Sequence, residues 1–257
     1  MQASVDLNAD MGESFGAWQL GADEALLKVV SSANIACGFH AGDADVMARV
    51  MAQAVAHDVG IGAHPGFADL QGFGRRRMDV SLDEVGNLVR YQIGAATAMA
   101  RAAGGRVRHL KLHGALANMA AEDIALARSC YEAALSVEPD IIIMVLAGTA
   151  QQEAVEALGC KFACEIFADR AYNEDCTLVD RRKDGAVIHD PDHAAARILE
   201  MLRAGAIISQ SGKAIPTRID TICLHGDTPE AVEIARALRA ALEAAGVAIR
   251  AFEGARA

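Results

Sequence analysis

The strongest constraint on the fold is a regular alternation of apolar and amphipathic segments along the 257 residues. We predict strands at residues 3–8, 33–37, 59–63, 107–112, 141–146, 161–167 and 219–224, with a weaker strand near 247–251. Helices are predicted between them, at about 22–31, 44–57, 82–103, 121–136, 149–158, 191–204 and 229–245. This repetition, with no Ser- or Pro-rich linker, favours a single-domain parallel β/α barrel of seven or eight strands over residues 1–257. A doubly wound open sheet is the alternative.

Local patterns agree with this architecture. Residues 141–146 read Ile-Ile-Ile-Met-Val-Leu, a run without a polar face, as expected for a parallel strand covered on both sides. Ser81 and Thr228 are suitable helix caps, and Pro229 follows Thr228 at the first helical position.

Composition and charge exclude several classes of protein. Hydrophobic residues make up 53% of the chain and aromatic residues only 4%, which predicts a core of Ala, Val, Ile and Leu. A net charge of −10 argues against a nucleic-acid partner, because phosphate binding needs a basic surface. No apolar run approaches the ~20 residues that span a membrane.

Two features predict a cytoplasmic protein. The first predicted strand begins within five residues of Met1, which leaves no room for a cleavable signal. The six cysteines lack paired spacing, so we expect reduced thiols that are mostly buried.

The first predicted strand carries a row of polar side chains. Asp6, Asn8 and Asp10 alternate with apolar residues, and Glu13 follows just beyond. Carboxylates on one face of a strand repel each other unless protons, cations or substrate compensate them. The pattern therefore indicates a binding or catalytic site, and a solvated polar face of an edge strand is the alternative interpretation.

Polar residues recur at the ends of the later strands, where barrel enzymes assemble their sites. Four of the eight histidines fall there: His40, His64, His113 and His225. One histidine in such a position is more often structural, but four of them favour a functional site. The other polar residues in these segments are Arg75, Arg76, Lys111, Glu165, Arg170 and Asp227.

These segments resemble the LamB/YcsF family. The similarity begins with Asp6-Leu7-Asn8-Ala9-Asp10-Met11-Gly12-Glu13-Ser14-Phe15-Gly16 and continues, in the family's order, at residues 33–43, 62–76, 113–116, 165–172 and 225–229. It spans residues 5 to about 250. Three residues depart from the family's pattern. Leu112 replaces Pro and Ala117 replaces Tyr in the loop after the fourth predicted strand, where both affect how a substrate fits. Cys176 replaces Gly in a turn.

The resemblance implies a function and a fold. Family members serve as one component of the bacterial ATP-dependent 5-oxoprolinase, which opens the 5-oxoproline (pyroglutamate) lactam to L-glutamate together with two partner subunits. The implied fold is similar to the glycoside hydrolase and carbohydrate deacetylase barrels, and the deacetylases also cleave an amide.

The sequence bears on where the ATP binds. Gly212-Lys213 looks like the end of a P-loop, but Ile207 replaces its first Gly and Ala214 the Ser or Thr that would bind Mg²⁺. We therefore expect ATP to bind mainly on the partner subunits.

Lactam hydrolysis needs an activated water, a stabilised oxyanion and a proton for the departing nitrogen. Asp10 or Asp6 is the expected base. Lys111 and His113 are expected to offer positive charge or a proton. Asp227 is expected to orient His225 and raise its basicity.

The substrate carries a carboxylate, which an arginine binds bidentately. Arg75, Arg76 and Arg170 are the candidates, and salt bridges to Asp69, Asp79 and Asp169 are the alternative role for them. The remaining residues expected to bind substrate are Asn8, Glu13, His40, His64, Glu165 and His225.

Two other functions stay open at this point. Asp10, His40 and His64 are ligand types suited to zinc or another divalent metal, which allows a metal-dependent deacetylase-like hydrolase of amides or carbohydrates. A non-catalytic component that carries a small acid, or regulates the complex, is the other alternative.

Overall fold

The computed structural model describes residues 4–224 and 231–256. Its strands, in chain order, are β1 (Ser4–Met11), β2 (Ser32–Ala36), β3 (Gly60–His64), β4 (Val107–Lys111), β5 (Ile142–Leu146), β6 (Phe162–Phe167), β7 (Ala206–Ile208), β8 (Ala214–Pro216), β9 (Thr221–Leu224) and β10 (Ala248–Ile249). Strands β1 to β6 pair in parallel in chain order, β6 pairs with β9, and β9 pairs with β1. The ring closes, so the predicted parallel β/α barrel is confirmed with seven strands.

Helices flank the barrel strands and bury their apolar faces against them. They are α1 (Asp23–Leu26), α2 (Ala44–Ala56), α3 (Leu82–Ala102), α4 (Gly114–Glu122), α5 (Ile124–Val137), α6 (Ala150–Leu158), α7 (Pro191–Ala204) and α8 (Ala231–Ala244). Strand β5 is buried along its whole length, and Ser81 caps α3 in a capping box with Glu84, both as predicted. Thr228 and Pro229 lie outside the described residues. No helix in the described ranges has the length and apolarity needed to cross a membrane.

Three elements differ from the prediction. The helix expected at 121–136 begins at Ile124 as α5, because the Asp123 side chain accepts hydrogen bonds from the backbone amides of Ala125 and Leu126, and α4 precedes it as a helix that was not predicted. The first helix is only four residues long. An antiparallel hairpin of β7 and β8 follows α7, in a segment too short for periodicity to reveal.

The barrel interior is polar along β1. Asp6 accepts hydrogen bonds from the hydroxyls of Ser31 and Ser32 at 2.7 Å and from that of Thr221. Asn8 donates to the Thr221 hydroxyl at 2.7 Å. Because β1 pairs on both sides and these side chains are fully buried, the alternative of a solvated edge strand is wrong.

Burial raises the pKa of Asp6 to about 6, although its three hydroxyl donors work in the opposite direction. An unfolded aspartate titrates near pH 4. The folded state therefore holds its proton more tightly, and stability is lost as the pH rises through this interval.

We predict that the free energy of unfolding of the wild-type chain, relative to Asp6→Asn, falls by about 2 kcal/mol between pH 4 and pH 7.5. The asparagine stays neutral and carries no such penalty. Urea denaturation of both chains across this range measures the difference. Asp123→Asn, which exchanges one helix cap for another on the surface, is the control. Parallel stability profiles for wild type and Asp6→Asn would contradict the assignment.

Candidate active site

A cavity of about 730 Å³ opens at the carboxyl ends of the barrel strands, the face on which β/α barrels carry their sites. Residues of the barrel strands and a group of basic residues are both part of its wall. The strand residues are Asp10, His64, Lys111, Met144, Leu146, Glu165 and Phe167. The basic residues are Arg75, Arg77, Arg170, Arg181, Arg182 and Lys183.

Lys111 is the central cation of the site. Its Nζ lies 2.8 Å from Asp10 Oδ1 and 3.0 Å from Glu165 Oε1, and it donates to Cys223 Sγ at 2.9 Å. Burial disfavours charge on Lys111, but Asp10, Cys223 and Glu165 outweigh it and hold the pKa of Lys111 well above its ordinary value. Burial also raises the pKa of Glu165, against the effect of Lys111. The ammonium therefore stays charged at neutral pH.

The Asp10 carboxylate is anchored through one of its oxygens. Oδ1 accepts hydrogen bonds from Lys111 and, at 2.9 Å, from the side-chain amide of Asn34. Oδ2 lies 3.4 Å from Nε2 of His64. Oδ2 of Asp10 therefore points toward the histidines, and Oδ1 stays beside the Lys111 ammonium.

Glu13, His40, His64 and His113 form a buried cluster, and each offers one potential metal-ligand atom within 4.8 Å of the others. The rings of His40 and His113 stack with 3.6 Å between centroids. Glu13 Oε1 lies 3.8 Å from both His40 Nε2 and His113 Nδ1. Ligand atoms around a tetrahedral zinc ion are separated by about 3.4 Å, given bond lengths of about 2.1 Å, so the cluster has suitable dimensions.

Backbone carbonyls fix the tautomers of two of these rings. His64 Nδ1 lies 2.8 Å from the Lys111 carbonyl, and His113 Nε2 lies 2.8 Å from the Phe73 carbonyl. A carbonyl only accepts, so both of these nitrogens carry hydrogen. The bare nitrogens, His64 Nε2 and His113 Nδ1, then face each other at 3.0 Å.

Two lone pairs at this distance repel each other unless a proton or a metal ion lies between them. Neither ring nitrogen of the buried His40 has a hydrogen-bond partner within the described part of the chain. Burial lowers the pKa of both His40 and His113 well below the ordinary value, and neighbouring histidines add to the effect. Neutral imidazoles oriented by backbone carbonyls, together with one carboxylate, are a donor set that fits a divalent transition metal.

The structure brings most of the predicted site residues together. Those that line the cavity are Asp10, Glu13, His64, Arg75, Lys111, His113, Glu165 and Arg170, and His40 stacks against His113. Asp6 and Asn8 lie deeper in the lumen and contact other barrel residues instead. His225 and Asp227 fall outside the described residues.

The three candidate arginines have different surroundings. Arg75 lies over the Phe73 ring at 4.9 Å and lines the cavity. Arg170 is buried and donates to the carbonyls of Val179 and Ala186, and burial lowers its pKa to about 10. Arg76 forms a salt bridge with Asp69, and its side chain is 65% exposed. The structure therefore gives this arginine the salt-bridge role that was the alternative to substrate binding.

Sequence reasoning missed two residues of the barrel interior, Asn34 and His109. His109 Nε2 lies 2.8 Å from Asn34 Oδ1. Both residues sit on predicted strands at the period-two spacing of interior positions, His109 two residues before Lys111, which is the signal that was available in the sequence.

The departures from the family pattern have clear positions. Leu112 and Ala117 both line the cavity, as expected. Cys176 has a φ of +66°, a conformation that favours glycine, and its side chain is buried against Gly148. This cysteine therefore occupies a turn, as predicted.

Known proteins resemble the chain over nearly its full length. The LamB/YcsF family model matches residues 5–257. A 5-oxoprolinase subunit from Ruegeria pomeroyi is 68% identical over 249 residues, covering 97% of this chain and 98% of that protein. A protein of the same name from Rhodopseudomonas palustris is 54% identical over 252 residues, covering 98% and 99%.

Solved structures agree with this relationship. The lactam utilization protein from Thermus thermophilus is 44% identical, with a TM-score of 0.91 and coverage of 97% of this chain and 100% of that one. A putative cellobiose-phosphate cleavage protein from Enterococcus faecalis, at 15% identity, TM-score 0.58 and 97% coverage of both chains, shares the fold alone. The same holds for the T48 deacetylase, at 14% identity, TM-score 0.50 and coverage of 96% and 87%. From its sequence and its structure, this chain belongs to the LamB/YcsF family.

Proposed function

We propose that the chain is the LamB/YcsF component of an ATP-dependent 5-oxoprolinase, and that it opens the lactam of 5-oxoproline to L-glutamate within a complex. The observation that carries the proposal is the 68% identity, over nearly the full length, to a protein named as a 5-oxoprolinase subunit. The cavity supports it with the groups that amide hydrolysis needs, because a carboxylate, a fixed cation and a histidine cluster meet there.

In the proposed reaction, Asp10 takes a proton from water as the water oxygen adds to the lactam carbonyl carbon. Lys111, held 2.8 Å from Asp10, stabilises the negative charge that develops on the carbonyl oxygen. The carbon–nitrogen bond then breaks, and the nitrogen takes a proton from Lys111, which recovers one from Asp10. The hydrogen on His113 Nε2 stays in its hydrogen bond to the Phe73 carbonyl. The products are the second carboxylate and the amino group of glutamate.

A divalent metal fits the histidine cluster, because the bare nitrogens of His64 and His113 face each other there. Glu13, His40, His64 and His113 would hold it. Such an ion supplies a Lewis acid that polarises a carbonyl and lowers the pKa of a bound water. The carbonyls of Lys111 and Phe73 keep the His64 and His113 rings oriented, and Glu13 and Asp10 place negative charge beside them.

The carboxylate of 5-oxoproline needs a cationic partner at the cavity wall. Arg75 is the first candidate, because it lines the cavity and Arg76 is not among the described residues that line it. Arg170 is the second, although two backbone carbonyls already accept hydrogen bonds from it.

ATP is assigned to the partner subunits, which we take to be two in number. Gly212 and Lys213 lie in the turn between β7 and β8, and Lys213 pairs with Glu174. A P-loop lysine instead stands where a strand leads into a helix. The six cysteines are free and buried, which agrees with a complex that works in the cytoplasm.

Two alternatives remain distinguishable by experiment. A deacetylase-like hydrolase would release acetate from an acetylated amide without partners or ATP. A carrier protein would bind 5-oxoproline, yet a complex that lacks it would still form glutamate. Glutamate release from 5-oxoproline and ATP, measured with the full complex and with the chain omitted, separates the proposed function from the carrier. Acetate release by the chain alone identifies the deacetylase-like hydrolase.

We predict that Asp10→Asn retains the fold but lowers glutamate formation by the reconstituted complex about 10²–10⁴-fold, the usual contribution of a positioned general base. ATP turnover by the partners is expected to persist and to become uncoupled from glutamate formation. Phosphate and glutamate release, measured side by side, test both parts. Asp123→Asn is the matched control. A full glutamate yield would remove Asp10 from the mechanism, and a loss explained by unfolding alone would make it a structural carboxylate.

We predict that the purified chain retains about one equivalent of a divalent transition metal, and that His40→Gln lowers the retained metal at least ~10-fold. His57→Gln, at the exposed end of α2, is the control and should retain the wild-type content. Elemental analysis after dialysis against a weak chelator gives the stoichiometry. Equal metal content in all three chains would show that the cluster is not a metal site.

We predict that Arg75→Gln raises the KM for 5-oxoproline by ~10–100-fold with a smaller change in kcat, because a bidentate contact to the carboxylate is lost. The neighbouring Arg76→Gln serves as the comparison and should leave KM near the wild-type value. Steady-state kinetics of the complex decide between them. A raised KM in Arg76→Gln alone would reverse the assignment of the two arginines.

A further inference from the structure

A chain of hydrogen-bonded side chains crosses the barrel lumen beneath the cavity, and both of its ends are carboxylates. Asp10 forms the end at the cavity. Asn34 Nδ2 lies 2.9 Å from Asp10 Oδ1 and 2.7 Å from Asn8 Oδ1. Asn8 donates onward to Thr221, whose hydroxyl donates to Asp6 at the other end. Because ionised carboxylates only accept, the two ends fix the direction of every hydrogen bond between them.

The fixed direction determines the protonation of His109. The Asn34 amide nitrogen must face Asp10, so its carbonyl oxygen faces His109, with Nε2 at 2.8 Å. Nε2 therefore carries hydrogen and donates it. The other ring nitrogen, Nδ1, has no hydrogen-bond partner within the described ranges, and the ring packs edge-on against Phe252. Burial keeps the ring neutral by lowering its pKa to about 3.

His109 reaches Asn34 because β3 leaves space for it. A methyl group on Gly62 would overlap the His109 ring at Nε2, Cδ2 and Cε1. Gly62 also pairs in register with both Asn34 and His109, on either side of it. Only a glycine at this position lets a side chain from β4 hydrogen-bond across β3 to a side chain from β2.

We infer that His109 is a positioning residue for the reaction, and that it fixes the orientation of the Asp10 carboxylate through Asn34. This inference rests on the proposed function. The His109 donor stops the Asn34 amide from rotating, so the amide nitrogen stays on Asp10 Oδ1 beside Lys111. With Oδ1 held by two donors, Oδ2 is presented to the histidine cluster, where the attacking water is needed.

The kinetic test compares two substitutions in the reconstituted complex. His109→Gln places an amide donor near the position of Nε2 and should retain kcat within about threefold. His109→Leu has a similar volume but no donor, and we expect it to lower kcat for glutamate formation by ~10–100-fold while KM changes less than about twofold. His57→Leu and His57→Gln on the surface are the matched controls. Equal losses in the Gln and Leu variants of His109 would overturn the inference.

A double-mutant cycle separates positioning from general destabilisation. If His109 acts through Asp10, His109→Leu should have almost no further effect on the residual activity of Asp10→Asn. A further loss as large as that in the wild-type background would show that His109 affects the whole protein and not the carboxylate. Thermal unfolding of each variant, measured in parallel, reports any change in stability.

A third measurement does not depend on activity. Nitrogen-15 spectra of the histidine side chains in the purified chain should show His109 as the neutral tautomer protonated at Nε2, with a slowly exchanging proton. A proton on Nδ1 would overturn the inference, whatever the kinetics. A wild-type complex that forms no glutamate would instead refute the proposed function, and the spectra would still show whether His109 donates to Asn34.

Discussion

The ammonium group of Lys111 lies in the lumen of a β barrel, where burial alone would remove its charge. Asp10 and Glu165, at 2.8 Å and 3.0 Å, keep it charged. A buried charge left without any partner typically costs about 3–5 kcal/mol, so Lys111 depends on these two carboxylates for its charge. Asp10, Lys111 and Glu165 therefore lie together in the barrel, and all three line the cavity.

The histidine cluster depends on the same strands. The carbonyl of Lys111 sets the tautomer of His64, while that of Phe73, in the loop after β3, sets the tautomer of His113. The backbone therefore fixes the direction of one lone pair on each ring, as the proposed metal site requires. Such preparation reduces the reorganisation that binding requires, which is the usual role of groups hydrogen-bonded to metal ligands.

The sequence predicted the barrel and the meeting of Asp10, His64, Lys111 and His113, because the carboxyl ends of parallel strands share one face. The sequence did not show which of Arg75 and Arg76 faces the cavity. The direction of each side chain in this loop depends on its partner, and Asp69 is the partner of Arg76. Asn34 and His109 were also missed. These two partners lie 75 residues apart. The sequence around a buried polar residue on a strand does not indicate which distant side chain will hydrogen-bond to it.

The contact between Asp6 and Thr221 joins residues separated by 215 positions, and it has a consequence for biosynthesis. Chains generally begin to fold from the amino terminus while the ribosome is still adding residues. Here Asp6 can meet Ser31 and Ser32 early, but its Thr221 donor and the second barrel neighbour of β1 are present only after β9 has been made. Closure of the barrel is therefore a late event in synthesis, because β9 stands between β6 and β1 in the ring.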